Sequence, residues 1–229
     1  VEICVGDVPS ALVAEAAGAD RLELCADLGQ GGTTPSLGAV AVALRMLRRV
    51  GVRVMVRARG GDFRVSGTEE KVMLADIEAI RRLPNPHGLA VGVVVGALTP
   101  HGRLDLPVLR RLVEAAAPLP VTVHKAFDEV GDQLGALEEI IDLGADAVLT
   151  SGAAPTALAG ARRLAALRDQ AGDRLRVIAG GGIRAHNVRQ VLEQTGAREV
   201  HLRAPLQRDG REATDGDQVR LVVAASRTA

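Results

Sequence analysis

Three observations predict an α/β fold of eight strand–helix units closing into a single-domain (β/α)8 TIM barrel. Short β-branched runs alternate with amphipathic segments along all 229 residues. The runs are apolar throughout, as in parallel strands covered on the outside by helices. The length is close to the roughly 250 residues typical of such a barrel.

The elements follow in order. The first strand is expected at 1–5 and the first helix at 9–17, with Asp7 as its cap and Pro9 in its first turn. Gly18-Ala19-Asp20 ends that helix and feeds strand two at 21–25. A loop at 26–35 carries Gly29, Gly31, Gly32 and two threonines before helix two at about 36–49. Strand three spans 52–58, and Thr68 is expected to cap helix three, with Glu69 and Glu70 in its first turn. Strand four is placed at 88–95, and helix four follows Asp105 and Pro107. Strand five spans 120–125, helix five about 132–143, strand six 147–150 and helix six about 155–170. Strand seven spans 175–179, helix seven about 185–194 and strand eight 199–203. A polar loop then leads to a last helix at about 217–225. Gly-Ala-Asp or Gly-Ala-Arg recurs at 18, 144 and 196, each time as a helix stop and strand entry. No linker or composition break divides residues 1–229, so one domain is expected.

Composition narrows the function classes. The formal net charge is zero, which gives no basic footprint for nucleic acid or an anionic membrane. Phe63 and Phe127 are the only aromatic residues of the Phe, Tyr and Trp group, too few to stack single-stranded bases. No apolar run approaches the roughly 20 residues of a membrane span. Two cysteines and no signal-like start predict a reducing cytosol. The chain opens on a strand at Val1, so residues are expected upstream.

Helix-to-strand connections are short, whereas strand-to-helix loops are longer and rich in Gly, Thr, Ser and charge. In a (β/α)8 barrel the longer loops form the C-terminal mouth, where active sites sit. Residues i and i+2 of a strand share a face. By that rule strand one offers Glu2 and Cys4, strand two Glu23 and Cys25, strand three Arg57 and Arg59, and strand eight His201 and Arg203. Strand five offers His124, with Lys125 on the other face and Asp128 just beyond, and strand six ends in Thr150-Ser151-Gly152. A barrel interior is normally aliphatic, so this polar set predicts a pocket for a small anionic or polyhydroxylated ligand, against the alternative of a salt-bridged plug. Gly180, Gly181 and Gly182 follow strand seven; they form either an anion site with Ser151 and Gly152 or a tight turn.

The doubled Glu-x-Cys invites three readings: metal site, catalytic edge or packing. Cys4 and Cys25 lie on neighbouring strands, and two soft thiolates at that spacing suit Cu(I). Glu2 and Glu23 would raise the thiol pKa values unless the arginines offset them.

Several motifs carry a resemblance in order and spacing. They are Glu-Leu-Cys at 23–25, Gly-Gly-Thr-Thr-Pro-Ser at 31–36, Arg-Ala-Arg-Gly-Gly-Asp-Phe at 57–63, His-Lys-Ala-Phe-Asp at 124–128, Leu-Thr-Ser-Gly at 149–152 and Ala-Gly-Gly-Gly-Ile at 179–183. Together they resemble the CutC family over about 1–204. The resemblance implies a (β/α)8 barrel, a cytosolic location, a homo-oligomer and a role in copper homeostasis, with Cu(I) on Cys4 and Cys25. This chain departs from the family in carrying Lys125 where Arg is usual and Arg203 where a small residue is usual. No organic cofactor is expected. The other function class is an isomerase, lyase or hydrolase acting on a small anionic or phosphorylated sugar-like substrate. Arg57 and Arg59 would then hold the anion, Glu2, Glu23 or Asp128 would serve as acid or base, and His124 or His201 as partner.

Overall fold

The computed structural model describes residues 1–208 and 210–227. Eight parallel strands close into a barrel in chain order: β1 (Glu2–Val5), β2 (Arg21–Leu24), β3 (Gly51–Met55), β4 (Val91–Val95), β5 (Val121–Val123), β6 (Ala147–Thr150), β7 (Arg176–Gly180) and β8 (Glu199–Leu202). Seven helices connect them: α1 (Val8–Ala16), α2 (Leu37–Met46), α3 (Gly67–Arg81), α4 (Leu106–Ala116), α5 (Gln133–Asp142), α6 (Ala161–Ala171) and α7 (Val188–Thr195). After β8 comes an antiparallel hairpin, β9 (Pro205–Arg208) and β10 (Arg211–Thr214), and then α8 (Gly216–Ser226).

Alternation along each strand builds two cores. Ile3, Val5, Leu22 and Leu24 are fully buried in the shell between strands and helices, each contributing roughly 1.5–3 kcal/mol. The alternate residues face the barrel interior. There Cys4, Cys25, Met55 and Val94 form one small cluster, and Ala147, Leu149 and Ile178 another. Charge fills the lower interior. Arg21 bridges Glu2 and Glu199, and Arg176 reaches Glu199 at 3.1 Å. Arg53 is buried, and burial together with Arg21 and Arg176 depresses its pKa to about 10. Gly92 makes room for it: a Cβ there would stand 2.8 Å from Arg53 Nη1 and 2.5 Å from the Pro120 carbonyl.

Register sets which polar groups meet. Glu2 pairs with Arg21 on one side and His201 on the other, and Cys4 pairs with Glu23. The barrel thereby brings β8 against β1 and unites residues almost 200 positions apart in sequence.

Helix starts follow cap chemistry. Asp7 accepts from Ser10 N at 2.7 Å and caps α1, with Pro in its first turn. Helix three is capped by Ser66 rather than Thr68: Ser66 Oγ accepts from the Glu69 N–H, and the Glu69 carboxylate accepts from the Ser66 N–H, closing a capping box. α2 ends at Met46, before the expected 49. The Glu15 carboxylate accepts from the N–H groups of Arg48, Arg49 and Val50 and draws that segment out of the helix.

Four other expectations are corrected. β3 ends at Met55, not 58. α6 begins at Ala161 after a turn-rich segment, and α7 begins at Val188 rather than 185. The polar loop after β8 contains a hairpin. Its strands are largely exposed on both faces, which removes the alternating pattern that marks a strand; its one sequence signal is Asp-Gly at 209–210.

Candidate functional site

At the C-terminal mouth a cavity of about 180 Å³ is lined on one side by Cys4, Glu23, Met55 and His201 and on the other by Arg57, Phe63, His124 and Lys125. Leu28, Gly31, Leu149 and Arg203 complete its wall.

The first side is a connected set of ionisable groups. His201 Nδ1 donates to Glu2 Oε1 at 2.7 Å, and its Nε2 lies 3.8 Å from Glu23 Oε2. Burial works to discharge His201, but Glu23, Cys4 and Glu2 together outweigh it and hold the imidazole protonated well above its ordinary pKa. Burial would raise Glu2, yet His201 and Arg21 bring its pKa down to about 2. Glu23 goes the other way: burial lifts its pKa well above the carboxylate range despite the pull of His201. Its Oε1 has no hydrogen-bond partner among the described residues.

The thiols sit directly above. Cys4 Sγ and Cys25 Sγ are 3.8 Å apart, far beyond the roughly 2.05 Å of a disulfide, and both are free. Cys25 Sγ is also 3.5 Å from Glu23 Oε2. The Cys25 thiol supports charge on its neighbour and pulls the Cys4 pKa well below its ordinary value. The hydrogen bond to Cys4, burial and Glu23 push Cys25 up. The two thiols are thus shifted in opposite directions. Gly32 closes over the pair: a Cβ there would stand 3.3 Å from Cys25 Sγ and 3.7 Å from Met55 Cε. Donor atoms of Cys4, Glu23 and Cys25 lie within 4.8 Å of one another, as do those of Glu2, Glu23 and His201.

The opposite side is built from β5 and β6. His124 is buried, and its Nδ1 accepts from the Ala126 N–H at 3.1 Å. Burial and the nearby Arg57 charge lower its pKa to about 3, so the ring is neutral with its proton on Nε2. Gly96 is required beneath it, since a Cβ would stand 2.1 Å from His124 Cε1. Phe63 packs on the ring at 5.0 Å between centroids and carries the Arg57 guanidinium 4.6 Å above its own ring.

Several expected site residues take other roles. Arg57 reaches the cavity, but its Nη atoms donate to the carbonyls of Gln30, Gly32 and Gly61, so it clamps two loops. Arg59 is not at the mouth: beyond the end of β3 its side chain turns to solvent and pairs with Asp62 at 2.8 Å and Glu69 at 2.6 Å. Asp128 is an anchor, accepting from the Ser151 N–H at 3.0 Å, the Ala153 N–H at 3.1 Å, the Ser151 and Thr150 hydroxyls, and Lys125. Gly152 has φ +71° and packs on the Gly160 carbonyl, as a turn requires. Gly180 faces Leu149, and Gly182 faces Thr156. The glycine run does not open α7, which starts six residues later.

Lys125 and Met55 are among the lining residues that escaped the sequence pattern. Lys125 shares the cavity with His124 rather than facing away, because residues 125–129 form a 3-10 turn that ends strand alternation. Met55 is the last β3 residue, same-face with Arg53, and its spacing was the signal for it.

Comparison with known proteins bears on this arrangement. The CutC family model matches residues 1–205. A Bacteroides fragilis family protein CutC is 45% identical over 203 residues, covering 89% of this chain and 79% of its own. The human copper homeostasis protein cutC homolog is 46% identical over 209 residues, covering 91% of this chain and 74% of its own. The crystal structure of a CutC protein from Streptococcus agalactiae superposes with a TM-score of 0.81 at 30% identity, covering 87% of this chain and 96% of that one. Phosphoribosylanthranilate isomerase from Thermotoga maritima, at TM-score 0.61 and 13% identity, covers all of this chain and 98% of its own, and shares the fold alone.

Proposed function

The chain belongs to the CutC family, and from that membership we propose that it serves copper homeostasis by binding Cu(I) at Cys4 and Cys25. The observation that carries this is the pair of free, buried sulfurs 3.8 Å apart at the barrel mouth. Soft thiolate and thioether donors select Cu(I) over harder cations, and Met55 offers a thioether in the same cluster. A thiolate is the ligand form, and the lowered Cys4 pKa supports it. Reduced thiols of this kind fit a cytoplasmic protein; no helix among the described residues is long and apolar enough to cross a membrane. A homo-oligomer is part of this proposal, to be read by light scattering.

Anaerobic competition for Cu(I) against a chromophoric chelator tests the site. The wild type is expected to hold one Cu(I) per chain. Cys4→Ser combined with Cys25→Ser is expected to lose at least about tenfold in affinity, or about 1.4 kcal/mol. An unchanged affinity contradicts the assignment.

A second reading, chemistry on an organic substrate, is favoured by a separate observation: the cavity has two sides, and His124 and Lys125 lie on the side without sulfur. On that reading His201 and Glu23 form the acid–base pair of an isomerase, lyase or hydrolase.

A further inference from the structure

The far side of the cavity is built to hold something, and its groups define what. His124 Nε2 carries the ring proton and is buried, with no partner among the described residues. An unmet buried donor of that kind is unfavourable, and a ligand acceptor would satisfy it. Gly96 and Phe63 pack the ring and hold it in place. Lys125 Nζ is equally fixed, at 2.9 Å from Asp128 Oδ2 and 3.0 Å from Ser151 Oγ. An ammonium has three N–H donors, so two such contacts leave one for a ligand. Across the cavity, Glu23 Oε1 also lacks a partner among the described residues. Leu28, Met55, Phe63 and Leu149 add apolar wall, beside the side chains of Arg57 and Arg203.

We propose that this cavity binds a three- or four-carbon 2-oxo or 2-hydroxy acid, its carboxylate held by His124 Nε2–H and Lys125 and its oxygen substituent facing Glu23. Size sets the chain length. A volume of 180 Å³ holds about six water-sized groups at roughly 30 Å³ each. Two fixed donors on one side suit a planar carboxylate. The proposal rests on the second reading above, that the mouth takes an organic ligand, and is independent of copper.

Isothermal titration of the copper-free, reduced protein with pyruvate, lactate, 2-hydroxybutyrate, glycerol, inorganic phosphate and ribose 5-phosphate tests it. At least one of the three acids is expected to bind more tightly than about 1 mM. Lys125→Met, a change in a half-exposed side chain, is expected to weaken that acid by at least about tenfold. Arg59→Ala, outside the cavity, is expected to leave it unchanged. Binding of glycerol, phosphate or ribose 5-phosphate but none of the acids overturns this proposal and leaves the organic-ligand reading standing. Silence from all six probes overturns both. An acid whose affinity survives Lys125→Met also overturns the proposal.

Discussion

Asp128 and Glu23 are both carboxyls near the barrel mouth, and the fold treats them in opposite ways. Asp128 collects backbone and hydroxyl donors from the end of β6 and its loop, and the Lys125 ammonium as well. Burial would raise its pKa, but the Thr150 hydrogen bond and Lys125 hold it below the ordinary carboxylate value. Glu23 has a thiol at 3.5 Å, an imidazole nitrogen at 3.8 Å and one oxygen with no partner among the described residues. Burial pushes its pKa well above the ordinary carboxylate value. A saturated carboxylate is scaffold, because any ligand must compete with its existing donors. An under-satisfied one is where a ligand gains most. The same contrast separates the two sides of the mouth: β5 and β6 supply a rigid frame, whereas β1, β2 and β8 supply coupled, exchangeable protons.

The largest expected effect breaks the frame. Asp128→Ala strips the acceptor from several donors at once and leaves Lys125 unpaired. It is expected to cost about 3–5 kcal/mol in a urea titration. A loss below about 1 kcal/mol would show that the frame does not depend on this hub.

Next is the charged partner of His201. Glu2→Gln is expected to cost about 3 kcal/mol at neutral pH, from a pKa moved from 4.5 to about 2. Because the folded value is depressed, this contribution is present above 4.5 and lost as pH falls through about 2. The gap between variant and wild type should therefore narrow on acidification. A gap independent of pH would remove the ion pair from the account.

Packing on the frame side predicts a smaller loss. Gly96→Ala places a methyl against His124 and is expected to cost about 1–3 kcal/mol by overpacking. Wild-type stability would show that the ring moves freely. The smallest effect belongs to Arg59→Ala. Its ion pairs are exposed, so a change within about 0.5 kcal/mol is expected in the same titration.

The barrel was legible because buried parallel strands are continuous apolar runs and their helices carry cap residues such as Asp7 and Asp105. The thiol side was legible for a simple reason. Glu2, Cys4, Glu23 and Cys25 lie on regular strands or at their ends, where two-residue spacing fixes the face. The same rule failed at Arg59 and Lys125, because β3 and β5 had already ended and a turn had reset the direction. Spacing also gives no hydrogen-bond inventory. It places Asp128 near the mouth without showing the donors that occupy it, and it places Arg57 there without the carbonyls it clamps.

X-ray absorption at the copper edge of the Cu(I)-loaded protein tests the central claim, that the sulfur side of the mouth is the metal site. The account predicts a first shell of sulfur alone, from Cys4 and Cys25, with a further sulfur lost in Met55→Leu if the thioether takes part. A first shell of nitrogen or oxygen, unchanged in Cys4→Ser with Cys25→Ser, would contradict it.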